Sequence, residues 1–315
     1  MKPELLVVVP PRPRQMAQLE RDYVLHRYDG LAPEAARELL LDVGSRIRGV
    51  VISGGVAFGQ RELERMPSLE IVASAAAGYE EIDTDFVRAR GIRFTTGSLT
   101  ACEDVADMGM LLLMAARRQL LAGDRWVRSG EWERQGMMPL ARSNAGKKLG
   151  IVGMGVIGRR IVPRALVFGQ EVAYFARSPQ PEVAARFEPD LLALSSWADA
   201  LIVIVSGGPS TRNLIDAQVI GALGPDGVLV NISRGSVVDE EALIAALSTG
   251  GLAAAGLDVF ASEPAPDPRL LALANVTLMP HHASGTVESR DAMDQQVVDN
   301  LAAHFAGKPL LTAII

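Results

Sequence analysis

Short apolar runs alternate with helical patterns along almost the whole chain. In the first third, five runs predict β-strands, at residues 5–9, 23–28, 49–53, 70–75 and 92–96. Helical stretches such as APEAARELLLDV lie between some of these runs. The alternation of buried strands with helices is typical of βαβ units in a parallel sheet. The sequence therefore predicts that the chain begins with a doubly wound α/β domain.

A different pattern follows this series. The stretch from Cys102 to about Arg128 predicts one long helix, with acidic residues in its first turn and basic residues later, as the helix dipole favours. Six further apolar runs predict a second parallel sheet with intervening helices, as in a dinucleotide-binding domain. These runs cover residues 148–153, 171–176, 200–205, 227–232, 254–259 and 276–280.

The last helical stretch, about Glu288–Phe305, has no strand after it, and we expect it to return to the first domain. A chain of 315 residues suits two domains of ordinary size. We therefore predict the fold class α/β, with two doubly wound parallel-sheet domains. The first consists of residues 1–98 and 286–315, and the second of residues 99–285.

Composition and charge narrow the class of protein. The net charge is −6 and no Lys/Arg run forms a stripe, so neither a nucleic-acid partner nor binding to an anionic membrane is expected. The longest apolar runs are too short to span a bilayer, and the N-terminal MKPELLVVVP predicts a strand rather than a signal peptide. The single Cys102 excludes an internal disulfide and a cysteine zinc site. We expect a soluble cytoplasmic protein without a metal.

The first motif with a chemical meaning is GIVGMGVIG, in which Gly153, Gly155 and Gly158 have G-x-G-x-x-G spacing. An apolar strand precedes it and a helical pattern follows, which is the context that a dinucleotide site requires. The first glycine permits the tight turn, the second the approach of a pyrophosphate, and the third close packing of helix and strand. The alternative is an ordinary tight turn without a ligand.

The end of the next strand indicates which nucleotide binds. NAD sites usually place a carboxylate there, on the ribose hydroxyls. Here the stretch is YFARSPQ, so that Ala176 takes this position and Arg177 and Ser178 follow. A guanidinium and a hydroxyl suit a 2′-phosphate, which favours NADPH, with NADH still possible. The alternative is that Arg177 is a solvated surface residue.

Three more stretches place polar residues at the ends of predicted strands: NISRG with Arg234, GLDVFASEP with Asp258 and Glu263, and MPHHASGT with His281. Ligands of such sheets bind at the carboxyl ends of the strands. An arginine after an apolar strand also needs an anionic partner. We therefore expect these residues to form one site.

The ordered set of motifs resembles the D-isomer-specific 2-hydroxyacid dehydrogenases over nearly the whole chain, and within them the NADPH-dependent glyoxylate/hydroxypyruvate reductases. The matching stretches are GYEEID, RARGIRFTT, LTACEDVAD, the glycine motif, VNISRGSVVDEEAL, GLDVF with EP, and PHHASGT. The resemblance implies a flavodoxin-like substrate domain at residues 1–98 with 286–315. It also implies a Rossmann domain at 99–285, and an active site in the cleft between the two.

The resemblance also implies a role for each candidate catalytic residue. Arg234 would bind the substrate carboxylate and polarise the ketone oxygen, His281 would donate the proton, and Glu263 would hydrogen-bond and orient the His281 ring. The neighbouring His282 is the rival proton donor. The backbone N–H groups of Ala77 and Gly78 would hold the substrate carboxylate with Arg234. The substrate-binding residues are therefore Ala77, Gly78, Arg234 and His281.

The cofactor contacts that the resemblance implies include Asp258 at the nicotinamide end. The full set is Gly153, Gly155, Val156, Ile157, Gly158, Arg177, Ser178, Val205, Ile232, Arg234, Asp258, His281 and Ser284. Two positions depart from the family pattern. Val156 stands where the family often has a basic residue, and Val205-Ser206 stands where it usually has Cys-Pro.

The function that we expect is reduction of glyoxylate or hydroxypyruvate by NADPH, with phenylpyruvate or hydroxyphenylpyruvate as alternative substrates. A non-catalytic nucleotide sensor of the co-repressor type is a second alternative, because it shares the fold and the three residues. The resemblance further implies a homodimer. In some relatives the segment equivalent to 132–142 reaches the neighbouring subunit, so Met137, Met138 and Leu140 would either shape its pocket or form an ordinary dimer contact.

Overall fold

The computed structural model describes residues 2–54, 56, 58–79, 82–97 and 99–315. The chain divides into two compact units. One comprises Met1–Ala101 and Gly285–Ile315, and the other comprises Cys102–Ser284. The sequence-based boundaries at 98/99 and 285/286 lie close to these divisions.

The first unit is built on a five-stranded parallel sheet. Its strands are β1 Glu4–Val7, β2 Val24–Arg27, β3 Ile47–Ile52, β4 Ile71–Ser74 and β5 Arg93–Thr95. Their order, β2-β1-β3-β4-β5, is that of flavodoxin-like doubly wound sheets. Each strand falls within a predicted apolar run or begins within two residues of one.

The second unit contains the larger sheet. Its strands are β6 Lys148–Val152, β7 Glu171–Phe175, β8 Arg186–Phe187, β9 Ala200–Val203, β10 Val228–Asn231, β11 Ala254–Leu257 and β12 Val276–Leu278. The order is β12-β11-β10-β9-β6-β7-β8, which contains the Rossmann arrangement with its reversal between β6 and β9. The predicted α/β class with two parallel sheets is confirmed.

The sheets are covered by helices. The helices of the first unit are α1 Pro13–Asp22, α2 Pro33–Val43, α3 Gln60–Leu63, α4 Thr84–Ala89 and α13 Val287–Phe305. The helices of the second unit are α5 Cys102–Arg117, α6 Leu120–Arg128, α7 Glu131–Gln135, α8 Val156–Val167, α9 Leu191–Trp197, α10 Ala217–Leu223, α11 Glu240–Thr249 and α12 Pro268–Leu271. The final helix α13 contacts α1 and β4, so it packs on the first sheet. None of the described helices is both long and apolar enough to cross a membrane.

Two of the predicted elements are wrong in detail. The predicted helix from Cys102 to about Arg128 is interrupted at Gln119, whose φ of 53° is left-handed, so α5 and α6 are separate. Neither glycine nor proline marks this break. The second sheet has seven described strands rather than six, because the two-residue β8 pairs with β7 at Ala173 and Tyr174. Two residues are too few to give an apolar run.

The burial of the central strands determines where polar chemistry can lie. In β9, β10 and β11 every residue is buried, because apolar clusters pack on both faces of the sheet. Functional polar groups of this sheet are therefore confined to the strand ends and the turns that follow them.

Candidate active site

The glycine turn between β6 and α8 is shaped so closely that two of its positions exclude a side chain. Gly153 has a φ of +110°, and a Cβ there would lie 2.5 Å from the carbonyl oxygen of Ile204, at the end of β9. A Cβ on Gly158 would lie 2.3 Å from the carbonyl oxygen of Gly153. At Gly155, by contrast, a Cβ would meet nothing within 4 Å. The first and third glycines serve packing, and the second faces open space.

This turn fits the pyrophosphate of a dinucleotide. Gly155 is the N-cap of α8, whose first turn contains Val156, Ile157 and Gly158. The first N–H groups of a helix have no partners within it and attract anions. Because Val156 is apolar, this contact relies on backbone groups rather than on a basic side chain. Arg159, the nearest cation on the helix, pairs with Glu182 and donates to Gln180.

The loop after β7 carries the residues expected to select the nucleotide. Ala176 directly follows the strand, so no carboxylate occupies the position of a ribose ligand. Arg177 and Ser178 are exposed, and the Arg177 side chain has no hydrogen bond or ion pair with the described residues. The loop itself is anchored, because the Gln180 backbone N–H donates to the hydroxyl of buried Tyr174 at 2.6 Å.

The turn after β10 presents Arg234. Asn231, the last residue of the strand, accepts hydrogen bonds on Oδ1 from the Ser233 N–H (3.0 Å) and hydroxyl (2.7 Å). Its Nδ2 donates to the Arg234 carbonyl at 3.0 Å. Arg234 is half-buried, and its Nη1 donates to the Ser233 carbonyl at 2.7 Å. The turn is therefore fixed by a buried amide, and Arg234 extends from it.

The turns after β11 and β12 bring Glu263 and His281 together. Glu263 Oε2 lies 2.7 Å from His281 Nδ1, while Oε1 accepts the Phe260 N–H at 2.9 Å. The His281 side chain is 49% exposed, so its ring can reach a ligand. His282 lies beside it, and the described contact with Glu263 is made by His281.

Asp258, between these turns, is 1% exposed. Its carboxylate accepts the N–H of His282 at 2.7 Å and that of Ala283 at 3.0 Å. Burial raises the pKa of the Asp258 carboxyl above its ordinary value, and the two hydrogen bonds oppose this shift. Both carboxylate oxygens are thus engaged with the backbone, and the predicted contact with nicotinamide remains a prediction.

The other predicted site residues lie at the ends of strands or in the turns after them. Val205 is half-buried after β9, and Ile232 is buried after β10. Ser284 is half-buried at the end of the second unit, and Ala77 and Gly78 follow β4 in the first. Their contacts with ligands stay predictions.

Sequence reasoning did not single out Asn231 or Ser233. A usable signal was present, because an asparagine interrupts the apolar run VLVNI. A buried polar side chain at that point must find partners, and those partners are the backbone groups of the Arg234 turn.

A dinucleotide turn follows β6, and Arg234 and His281 lie in the turns after β10 and β12. This combination is typical of one class of enzymes, the nicotinamide-dependent oxidoreductases. Comparison with known proteins narrows this class. Residues 110–283 match the family described as "D-isomer specific 2-hydroxyacid dehydrogenase, NAD binding domain". The chain belongs to this family of D-2-hydroxyacid dehydrogenases, and it is an NAD(P)-dependent 2-keto acid reductase.

Two curated relatives and one crystal structure extend over the whole chain. A 2-ketogluconate reductase of Gluconobacter oxydans is 44% identical over 314 residues, covering 100% of this chain and 99% of that protein. A glyoxylate/hydroxypyruvate reductase of Arabidopsis thaliana is 42% identical over 299 residues, covering 95% and 94%. The NADPH-dependent glyoxylate/hydroxypyruvate reductase of Sinorhizobium meliloti, solved with NADP and malonate, superimposes with a TM-score of 0.89 at 38% identity, covering 100% and 97%.

These matches confirm the predicted family, fold and enzyme class. The alternative of a non-catalytic nucleotide sensor is not supported.

Proposed function

We propose that the protein reduces glyoxylate and hydroxypyruvate to the corresponding 2-hydroxy acids, with NADPH as the preferred reductant. The observation that carries this proposal is the 2.7 Å contact between His281 Nδ1 and Glu263 Oε2. A carboxylate on Nδ1 fixes the ring and leaves Nε2 as the nitrogen that can give its proton to a substrate.

The roles of the protein groups follow from the reaction. Reduction of a ketone adds a hydride to its carbon and a proton to its oxygen, and the bound nicotinamide supplies the hydride. His281 gives its Nε2 proton to the oxygen and is reprotonated from solvent. Arg234 binds the substrate carboxylate, which places the ketone next to His281 and offsets the charge that develops on the oxygen.

Selection of NADPH rests on the loop after β7. Arg177 is exposed there without a described partner, Ser178 adds a hydroxyl, and Ala176 offers no carboxylate to repel a phosphate. The Sinorhizobium meliloti relative is described as NADPH-dependent. Both observations favour NADPH over NADH.

A second candidate substrate is 2-ketogluconate, because the Gluconobacter oxydans relative, at 44% identity over the whole chain, is named for it. The candidate substrates differ in length. Glyoxylate and hydroxypyruvate have two and three carbons, whereas 2-ketogluconate is a six-carbon sugar acid. The loop after β4, with the sequence AAAGY at residues 75–79, resembles that of the glyoxylate/hydroxypyruvate reductases, and this resemblance favours the shorter substrates.

The test is the initial rate of NADPH oxidation with glyoxylate, hydroxypyruvate, 2-ketogluconate and phenylpyruvate under one set of conditions. We expect kcat/KM for hydroxypyruvate to exceed that for 2-ketogluconate by about tenfold or more. The reverse order would assign the enzyme to the sugar acid, and absence of turnover with all four would refute the proposal.

We also propose that the protein is a homodimer and that residues 132–142, which comprise most of α7 and the loop after it, form its interface. Within this segment the side chains of Trp132, Met137 and Leu140 are strongly exposed. Exposed apolar residues clustered on one segment are typical of an interaction surface.

A further inference from the structure

The proposed catalytic groups are joined by a closed circuit of contacts, all of it within the second unit. It begins at Asn231, whose carbonyl oxygen accepts the Asp258 N–H at 3.0 Å. The Asp258 carbonyl oxygen in turn accepts the His281 N–H at 2.8 Å. The strand ends of β10, β11 and β12 are thereby tied to one another at the edge where Arg234 and His281 lie.

A second series of contacts connects His281 back to the Arg234 turn. His281 contacts Glu263, and Glu263 accepts the Phe260 N–H. The Phe260 carbonyl group packs against Gly235 so closely that a Cβ on the glycine would lie 1.8 Å from its oxygen. Gly235 directly follows Arg234, so the arginine turn and the Glu263 turn are fixed against each other.

The side chains of Asn231 and Asp258 stabilise these contacts from the interior of the protein. Asn231 and Asp258 are each 1% exposed. Asn231 holds the Arg234 turn from within, through its hydrogen bonds to Ser233 and to the Arg234 carbonyl. The Asp258 side chain holds the His281 turn, because its carboxylate accepts the N–H groups of His282 and Ala283. The Asp258 backbone carbonyl accepts the His281 N–H.

The His281 turn needs such support. His281 has a φ of 49°, in the left-handed region that residues other than glycine seldom adopt. A residue persists there only when its surroundings over-determine the conformation. Here three consecutive N–H groups that converge on Asp258 supply that constraint.

We propose that Asn231 and Asp258 are positioning residues with separate targets. Asn231 sets the orientation of Arg234, and therefore the binding of the substrate carboxylate. Asp258 sets the orientation of His281, and therefore proton donation. This proposal rests on the roles of Arg234 and His281 in the proposed function, and it adds that each of the two groups has its own buried support.

The kinetic test separates the two supports. In Asn231→Ala the Arg234 carbonyl and the Ser233 N–H lose their partner, and we expect KM for hydroxypyruvate to rise about tenfold, more than kcat falls. In Asp258→Asn only one oxygen remains to accept two N–H groups, and we expect kcat to fall about thirtyfold, more than KM rises. The dissociation constant for NADPH should stay within about twofold in Asn231→Ala. In Asp258→Asn its rise, through the predicted nicotinamide contact, should be smaller than the fall in kcat.

Matched controls remove side-chain hydrogen bonds to backbone N–H groups elsewhere. Asn300, also 1% exposed, holds the backbone N–H groups of Leu311 and Thr312 in the first unit. Asp199 accepts the Lys148 N–H at the opposite, amino-terminal edge of the second sheet. We expect Asn300→Ala and Asp199→Asn to lower Tm while leaving kcat and KM of the folded enzyme within about twofold.

Hydrogen exchange of the backbone provides a readout that does not depend on turnover. We expect faster exchange at His282 and Ala283 in Asp258→Asn and at Ser233 in Asn231→Ala, because these N–H groups donate to the substituted side chains, each without change in the other turn. If Asn231→Ala fails to fold, Asn231→Asp keeps both accepted hydrogen bonds and replaces the donation to the Arg234 carbonyl by repulsion between two oxygens.

The outcomes distinguish this proposal from the proposed function. A wild-type enzyme without turnover on any keto acid refutes the proposed function, while hydrogen exchange still decides whether the two turns have separate supports. The positioning roles are overturned if kinetic losses merely follow the loss of Tm, as in the controls. They are also overturned if Asp258→Asn weakens NADPH binding and leaves kcat unchanged.

Discussion

His281 shows how much of the candidate site depends on single residues. Its left-handed conformation, with φ of 49°, costs about 1–3 kcal/mol, and the surrounding hydrogen bonds offset this cost. The sequence identified the histidine and its partner Glu263 because their motifs are short and specific. The sequence marks Asn231 only as a polar residue in an apolar run, and its role becomes visible when its partners in the Arg234 turn are placed.

The histidine–glutamate contact predicts a specific loss in Glu263→Gln. The amide can still accept a hydrogen bond but cannot balance the positive charge of a protonated ring, so we expect kcat to fall about tenfold or more with NADPH binding unchanged. Initial rates and a fluorescence titration with NADPH measure the two effects. Glu240→Gln is the control, because among the described residues the Glu240 side chain accepts only the nearby Ala261 N–H. Equal losses in the two variants would contradict the role of Glu263.

Arg177 predicts the cofactor preference. Replacement by Ala removes a charge-assisted contact with the 2′-phosphate, and such a contact contributes about 1.5–3 kcal/mol. KM for NADPH should therefore rise about tenfold or more, while KM for NADH stays nearly constant. Arg212, an exposed arginine in the loop after β9, provides the control substitution Arg212→Ala. An unchanged ratio of the two KM values in Arg177→Ala would refute the assignment of Arg177.

At the scale of elements, the sequence predicted the order of strands and helices well because apolar runs and glycine spacing are local signals. It failed where no local signal exists. The break between α5 and α6 is made by Gln119, a residue compatible with a continuous helix, and β8 is too short to form a pattern. The positions of Arg234, Glu263 and His281 could be predicted because all three follow buried strands of one parallel sheet.

The turn between β6 and α8 predicts that two glycine substitutions both weaken NADPH binding but differ in their effect on stability. In Gly158→Ala the new Cβ would approach the Gly153 carbonyl oxygen to 2.3 Å, so we expect a fall in Tm together with loss of NADPH binding. In Gly155→Ala the Cβ meets nothing within 4 Å, so Tm should stay constant while NADPH binds about tenfold more weakly. Thermal unfolding and NADPH titration of both variants test this. Unimpaired binding by Gly155→Ala would show that the pyrophosphate does not approach this glycine.

At the scale of the whole molecule, the proposed dimer accounts for two of the most exposed apolar side chains among the described residues. Met137 is 82% and Leu140 88% exposed in the single chain. We expect sedimentation velocity to give twice the chain mass of 33.6 kDa, and the double substitution Met137→Asp and Leu140→Asp to shift the protein to the monomer. Val167→Asp, at an 85% exposed site on α8, is the control. A wild-type monomer would refute the dimer, and a dimer that survives the double substitution would place its interface elsewhere.

The central claim is that Arg234 binds a 2-keto acid, and His281 protonates its oxygen during reduction, at the edge of the nucleotide-binding sheet. The most direct measurement is kcat/KM for hydroxypyruvate in the wild type and in Arg234→Ala, with NADPH affinity measured in parallel. We predict that the substitution lowers kcat/KM by about a hundredfold or more and leaves NADPH affinity nearly unchanged, and that Arg234→Lys recovers only part of the activity because it lacks the bidentate guanidinium. Near-wild-type turnover by Arg234→Ala would contradict the account.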